Sequence, residues 1–440
     1  MLTTHTAKTA DLVQIYYDAL AHDARYTSAR AQHSADQEKL VQGRGGLLPL
    51  VTANAGVGWN NAKTTTTTPN PFTGQKTKTK NSQQYNSNSY ALQLAAPLIR
   101  VQNWLQYKEA ALYTELANSL FAQETQELIL RTAEAYFNVL NAQDSLNAIA
   151  QLRAAASEQL ELARTSFKVG TVTITDVHEA QSRFDLASAQ EIAARNASDI
   201  AKEALARIIG HTPEELSKLK PGILIPPPQP NDIATWTEAA EKNHYGVQAQ
   251  TLLCEIAERA LQRERAGHLP TLDLVASYGR SNRPSGTVDR IDSSTVGIQI
   301  DVPLYQGGVV SSRTREAAAL KIKADSDLED ARRGAVLAAR EAWLSVTSGM
   351  AKVRALEAAQ NSSASSLTAN RLGYKVGVRI NIDVLNAQSQ LADAIQQLAR
   401  ARYDTLLAQL RLKAAVGTLN EEDVRAINTL LETKTASTGS

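Results

Sequence analysis

Cysteine occurs once in the 440 residues, at Cys254. A single thiol excludes an internal disulfide framework and any metal site built from cysteines. Neither sign of charge is in surplus, because 46 Lys and Arg meet 45 Asp and Glu and the net charge is +1. Nothing then supplies the cationic excess that phosphate neutralisation needs, so no nucleic-acid partner is expected. Aromatic residues are only 5% of the chain, which disfavours one large mixed core, while abundant alanine favours long helices packed closely. With 22 Gly and 13 Pro, loops should be few. The longest strictly hydrophobic run, Ala335–Ala339, is far short of the ~20 residues of a spanning helix. Transmembrane helices are thereby excluded, but transmembrane strands are not. Met1–Asp11 has no basic start followed by an apolar stretch, which predicts that any export signal is missing from this sequence.

Signs of catalysis are also missing. There is no Gly-rich phosphate loop, zinc-protease helix motif or nucleophile elbow. His5, His22, His33, His178, His211, His244 and His268 are scattered without ligand spacing, so no enzyme, cofactor or structural metal is expected.

What the chain does contain is a duplication. Phe167–Gln181 (FKVGTVTITDVHEAQ) aligns without a gap on Tyr374–Gln388 (YKVGVRINIDVLNAQ), with seven of fifteen positions identical; chance would give roughly one. Gly210 and Gly417 lie 40 residues beyond Gly170 and Gly377, and Pro97 corresponds to Pro303. The expected division is a first repeat over 1–230 and a second over 231–440.

No Gly or Pro lies between Pro97 and Gly170, and no Pro between Pro303 and Gly417, so nothing local stops a helix there. A single helix over 101–168 would be ~100 Å long and must bury a stripe against other helices. The stripe is legible. Val384, Ala387, Leu391, Ala394, Leu398, Ala401, Thr405, Ala408, Leu412 and Ala415 alternate by three and four residues. In the first repeat the same register gives Val177, Ala180, Phe184, Ala187, Glu191, Ala194, Ser198, Ala201, Leu205 and Ile208, and a facing seam from Ala135 to Phe167 is broken by Arg153. Alanine along a 3.5-residue period predicts close antiparallel hairpins with left-handed supercoiling, turning at Gly170 and Gly377.

Upstream of each long helix the period becomes 2. Val51, Ala53, Ala55, Val57 and Trp59 alternate with small or polar residues, as do Tyr90–Leu98, Leu272–Tyr278 and Val296–Leu304. Strands with one apolar and one polar face suit a membrane barrel, where closed pairing satisfies the backbone in lipid. Four strands are fewer than the ~8 of the smallest such barrels, so other copies would have to complete the sheet. The competing reading is two surface hairpins on a soluble protein. Asn61–Asn88, rich in Thr, Asn, Gln and Lys, reads as a long polar loop, or as a linker if there is no barrel.

Paired strands, long hairpins and the segments YQGG (Tyr305–Gly308), YKVG (Tyr374–Gly377) and ARYDTLLAQLRLKAAVGTLNEED (Ala401–Asp423) make the chain resemble the TolC family of outer-membrane efflux and secretion channels, from about Leu12 to Leu431. The resemblance implies a mainly α protein with a transmembrane β-barrel: a trimer giving four strands per chain to twelve, above a periplasmic α-helical barrel. Strands would fall in about 50–98 and 270–305, and helices in about 8–43, 100–210, 234–266 and 307–417. It implies a passive exit duct for drug efflux or type I secretion, working with a periplasmic adaptor and an inner-membrane pump or ABC exporter. Thr175 and Asp176 match residues that bond to the equivalents of Tyr374 and Arg379 in a closed gate. Asp383 matches a position whose carboxylates narrow the entrance, and Asn386 stands where the best-known member has a second Asp. The turns Val169–Thr171 and Val376–Val378 would dock the adaptor. Simpler roles exist, since Asp176, supported by Glu179, and Asp383 can each be helix caps. The rival function is a soluble coiled-coil scaffold or a periplasmic adaptor.

Overall fold

A computed structural model describes residues 9–432. His5, most of Met1–Asp11, the outer limits of both repeats, the first position of the 8–43 helical segment and the end of the C-terminal tail lie outside the described residues. The chain forms two compact units. One combines the described residues up to His33 with Asn118–Gln250 and those from Asp327 on; the other combines Ser34–Ala117 with Thr251–Ser326. Each unit thus takes segments from both sequence repeats.

In chain order the elements are α1 (Leu12–His22), α2 (Ala24–Gly45), β1 (Leu50–Pro69), β2 (Lys76–Ile99), α3 (Val101–Lys168), α4 (Ile174–Ile209), α5 (Ile233–Asn243), α6 (Tyr245–Arg265), β3 (Thr271–Ser285), β4 (Val288–Asp301), α7 (Val309–Lys375), α8 (Asn381–Ala415) and α9 (Glu421–Asn428). α3 has 68 residues and α7 has 67, about 100 Å each at ~1.5 Å per residue. Both end where the turn glycines take positive φ: Gly170 and Gly377 each sit at 78°. The N–H of Thr171 donates to the Ser166 carbonyl at 2.9 Å, and that of Val378 to Gly373 at 2.9 Å. A left-handed glycine with this six-to-one bond is a Schellman stop, satisfying carbonyls the helix end leaves unpaired.

In the first unit the seam residues are buried or half-buried where periodicity places them, except Phe167, which lies next to the turn and is 44% exposed. Leu160, Ala163 and Ala180 cluster with Val177 and Phe184. At the equivalent place Leu367, Val384 and Ala387 cluster with Tyr374 and Leu391. Arg153 and Glu191, which interrupt the two facing seams, pair with each other at 3.0 Å. Further along, Tyr136, Phe137 and Leu140 of α3 form a core with Leu12 and Ile15 of α1, Leu205 and Ile209 of α4, and Leu406 and Leu410 of α8. The buried Tyr136 hydroxyl donates to the Ser217 carbonyl at 2.7 Å, and burial pushes its pKa well above the ordinary tyrosine value.

The second unit carries a four-stranded antiparallel sheet in the order β1-β2-β3-β4. Asn61–Asn88 is not a loop. β1 continues to Pro69 and β2 begins at Lys76, with Thr64–Thr68 paired on Thr77–Asn81. β-Branched threonines favour strand backbone and pair well across strands, so a polar composition does not break the ladder. Only 70–75 turn the chain. At the other end of the sheet Arg100 grips buried Asp273 with two bonds, of 2.7 and 2.5 Å. Close helix packing in this unit needs a bare backbone at Gly43, where a Cβ would stand 2.6 Å from that of Ala110.

Candidate channel gate and lipid-facing sheet

Hairpin ends place the candidate gate residues. α4 starts at Thr173, whose hydroxyl oxygen accepts from the Asp176 N–H at 3.3 Å while the Asp176 carboxylate accepts from the Thr173 N–H at 2.8 Å. Thr173 is therefore the cap and Asp176 its third-position partner in a capping box. The expected arrangement, with Asp176 as cap and Glu179 as support, is displaced by one turn. A threonine at the β-region φ,ψ of a cap leaves Asp176 inside the helix. Asp383 has the same place in α8 and accepts from the Ile380 N–H at 3.4 Å. Isoleucine has no side-chain acceptor, so only this half of a box forms, and Asp383 too is not the cap itself. The carboxylates at these N-termini also meet the favourable end of the helix dipole.

Arg379 reaches Asp383 at 3.7 Å within the chain, one turn along. Its side chain passes over Gly373, where a Cβ would lie 2.7 Å from Arg379 Cγ. Tyr374 packs against Leu367, Val384 and Ala387, half-buried. Thr175 is exposed. Asn386 is also exposed, and its side-chain oxygen accepts from Arg183 Nη2 of α4 at 2.9 Å. Sequence reasoning missed Arg183. Its neighbour Glu179 one turn earlier suggests an ordinary surface pair, and only the juxtaposition of α4 and α8 gives it another partner. The turn residues are unusually bare: Val169 is 72% exposed, Val376 65% and Val378 74%. Three valines and two glycines over the two turns form apolar tips that water solvates poorly.

The sheet has two chemically distinct faces. Register puts Ala53 opposite Leu92, Leu92 opposite Tyr278, and Ala276 opposite Val296. One face thus holds Val51–Trp59 alternate residues, Tyr90, Leu92, Leu94, Leu272, Leu274, Tyr278, Val296, Ile298 and Ile300. Much of it is exposed in the single chain, Trp59 at 81% and Val296 at 78%. The opposite face holds Thr52, Asn54, Gln93, Asp273, Ser277, Gln299 and Asp301. Val51 to Trp59 spans roughly 26 Å along the strand at ~3.3 Å per residue. Tilted by ~40°, that is about 20 Å, close to the ~25 Å apolar band of outer-membrane barrels. No described helix is long and apolar enough to cross a membrane.

Residues 15–211 and 236–418 match the family described as outer membrane efflux protein. The chain belongs to this family. It is 34% identical over 438 residues to outer membrane protein TolC of Escherichia coli strain K12, covering 96% of this chain and 85% of that one. It is 32% identical over 434 residues to the alkaline protease secretion protein AprF of Pseudomonas aeruginosa, covering 97% and 88%. Among solved structures, the Campylobacter jejuni CmeC outer membrane channel superposes with a TM-score of 0.79 at 16% identity, over 96% of this chain and 90% of that one. The TolC-type resemblance and the helix-plus-barrel architecture therefore stand. This is an outer-membrane exit duct with a large periplasmic helical portion, and the coiled-coil scaffold and adaptor alternatives fall away. The family is one of channels rather than known enzymes.

Proposed function

We propose that three copies of the chain close twelve strands into the lipid-spanning wall of a passive duct that serves drug efflux, type I protein secretion, or both. The observation that carries this is the open four-stranded sheet, with β1 and β4 as edges that pair with no other strand among the described residues and an apolar face on one side only. In lipid every edge N–H and C=O must be paired, so closure by further copies is the way such a sheet spans. The relative named for alkaline protease secretion supports protein cargo, and the family description supports efflux. Detergent-solubilised protein should have three times the mass of the chain and form water-filled pores in planar bilayers. A monomer, or a closed assembly without conductance, would refute the reading.

The gate lies at the hairpin turns in this proposal. Thr175 and Asp176 of one hairpin meet Tyr374 and Arg379 of another, and Arg379 exchanges its local partner Asp383 for Asp176 as the entrance closes. Arginine suits this because its planar fork of donors fits a carboxylate. Asp383 and Asn386 line the constriction. The apolar turns Val169, Gly170, Thr171, Val376, Gly377 and Val378 dock a periplasmic adaptor, which joins the duct to an inner-membrane pump or ABC exporter. The double variant D176N/R379Q, in which Asn keeps an acceptor for the Thr173 N–H, should raise single-channel conductance. Unchanged conductance removes the gate assignment while leaving the duct intact.

A further inference from the structure

On each strand of the sheet the lipid-side apolar run gives way, toward the hairpin tips, to a basic residue on the same face. β1 passes from Trp59 to Lys63, and β2, read upward, from Tyr90 to Lys80 and then Lys78 and Lys76. β3 passes from Tyr278 to Arg280, and β4 from Val296 to Arg290. The register fixes the shared face. Lys63 pairs with Ser82, Thr65 with Lys80 and Thr67 with Lys78; Tyr90 pairs with Arg280; Arg280 pairs with Asp292 and Asn282 with Arg290. Successive residues alternate faces, so even positions of β2 from Lys76 to Leu94 all look one way.

Six basic side chains thus share this face with one carboxylate, Asp292. Lys78 and Lys76, opposite Thr67 and Pro69, stand farther out than Lys63, which leaves Lys63, Lys80, Arg280 and Arg290 to form the rim. Asp292 is bonded to Arg280 and lies 2.8 Å from Arg290. The segment from Asn60 to Tyr90 contains no Asp or Glu. The β3–β4 turn supports the ribbon as far as Gln83, whose side chain fills the space a Cβ on Gly286 would take. Lys63, opposite Ser82, is therefore held in the orientation of the sheet below it.

Lys63 lies four residues past Trp59, ~13 Å along the strand and about 10 Å along the membrane normal for a ~40° tilt. The headgroup layer occupies the ~5–8 Å beyond the hydrocarbon on each side, and a lysine stem bends its ammonium back toward that layer. We propose that this rim is a binding surface for phosphate-bearing lipid headgroups of the outer leaflet, with Lys63, Lys80 and Arg290 as its principal contacts. Ammonium and guanidinium donors make charge-assisted bonds to phosphate oxygens, while the acyl chains lie on Val51–Trp59 and Ile298. The inference rests on the lipid face of the sheet and is independent of the gate.

The test uses the intact protein in mixed vesicles of phosphatidylcholine with phosphatidylglycerol or lipid A, with retained lipid counted by native mass spectrometry. Near a charged surface each Lys or Arg contributes about 5-fold in affinity. K63Q/K80Q/R290Q should therefore lower the preference for the phosphate-rich lipid by on the order of 100-fold. R283Q, which removes a charge from the bulged part of β3 outside this row, should leave the preference intact, and millimolar inorganic phosphate should not displace bound lipid. Wild-type protein without a preference, a triple variant that keeps it, or an equal loss in R283Q would overturn the proposal. Displacement by free phosphate alone would overturn the lipid assignment. Circular dichroism identifies a variant that fails to fold, and single substitutions K63Q and K80Q, each losing about 5-fold, then decide the matter.

Discussion

The bond between Arg183 and Asn386 gives a sharp test of the constriction. In the constriction proposed above, Asn386 follows Asp383 by about one turn of α8, and N386D would add a second carboxylate from each chain. A count of rings alone says that N386D makes a two-ring entrance blocked strongly by multivalent cations. The structure says otherwise, because Arg183 Nη2 lies 2.9 Å from the Asn386 side-chain oxygen and would turn a new carboxylate into an ion pair. Exposed pairs of this kind are worth about 0.2–1 kcal/mol, or roughly 1.4- to 5-fold in the competition for a cation. A trivalent cation bridging all chains of a trimer must displace three such arginines, so the penalty multiplies to roughly 3- to 140-fold. Block of single-channel current by a trivalent metal complex should therefore be 3- to 140-fold tighter in N386D/R183Q than in N386D. Equal block in the two variants would refute the claim that Arg183 neutralises this position. D383N should weaken block in either background, and if it does not, the constriction itself is misassigned.

Other consequences follow from the same geometry. G377A puts a side chain at φ 78° with open space around it, so the backbone alone resists, at about 1–2 kcal/mol; an unchanged unfolding midpoint would contradict the Schellman stop. Glu191 is only 13% exposed and Arg153 47%, so a double-mutant cycle with E191A and R153A should give a coupling of about 1 kcal/mol, and none if the pair merely coincides. Burial raises the Glu109 carboxyl above the usual range, with attraction from Arg263 opposing and Glu264 adding to the rise. The folded chain then holds this proton more tightly than the unfolded chain. Glu109 contributes stability below the unfolded carboxylate pKa and loses it as pH rises through the folded one. Denaturation midpoints of wild type should therefore gain on those of E109Q as pH falls from neutral toward about 4, and a gap that narrows instead would exclude this sign.

Sequence by itself determined the periodic part of this protein. Unbroken helices, the glycine turns at 170 and 377, the alanine seams and the alternating strands are local consequences of where Gly, Pro and apolar residues fall, and a duplicated pattern states each of them twice. Composition misled at Asn61–Asn88, where polar content suggested a loop. Strand formation there is decided by pairing partners, and Thr64–Thr68 find theirs in Thr77–Asn81. Tertiary structure alone decided the partners that are distant in the chain. Arg153 and Glu191 each break a seam when read singly and close one when the helices meet. Arg183 reaches Asn386, 203 residues away. Six cations scattered from Lys63 to Arg290 come to share one face because antiparallel register carries side-chain direction from strand to strand. Periodicity fixes which way a side chain points relative to its own element, whereas what it meets depends on a second element whose position no local pattern records.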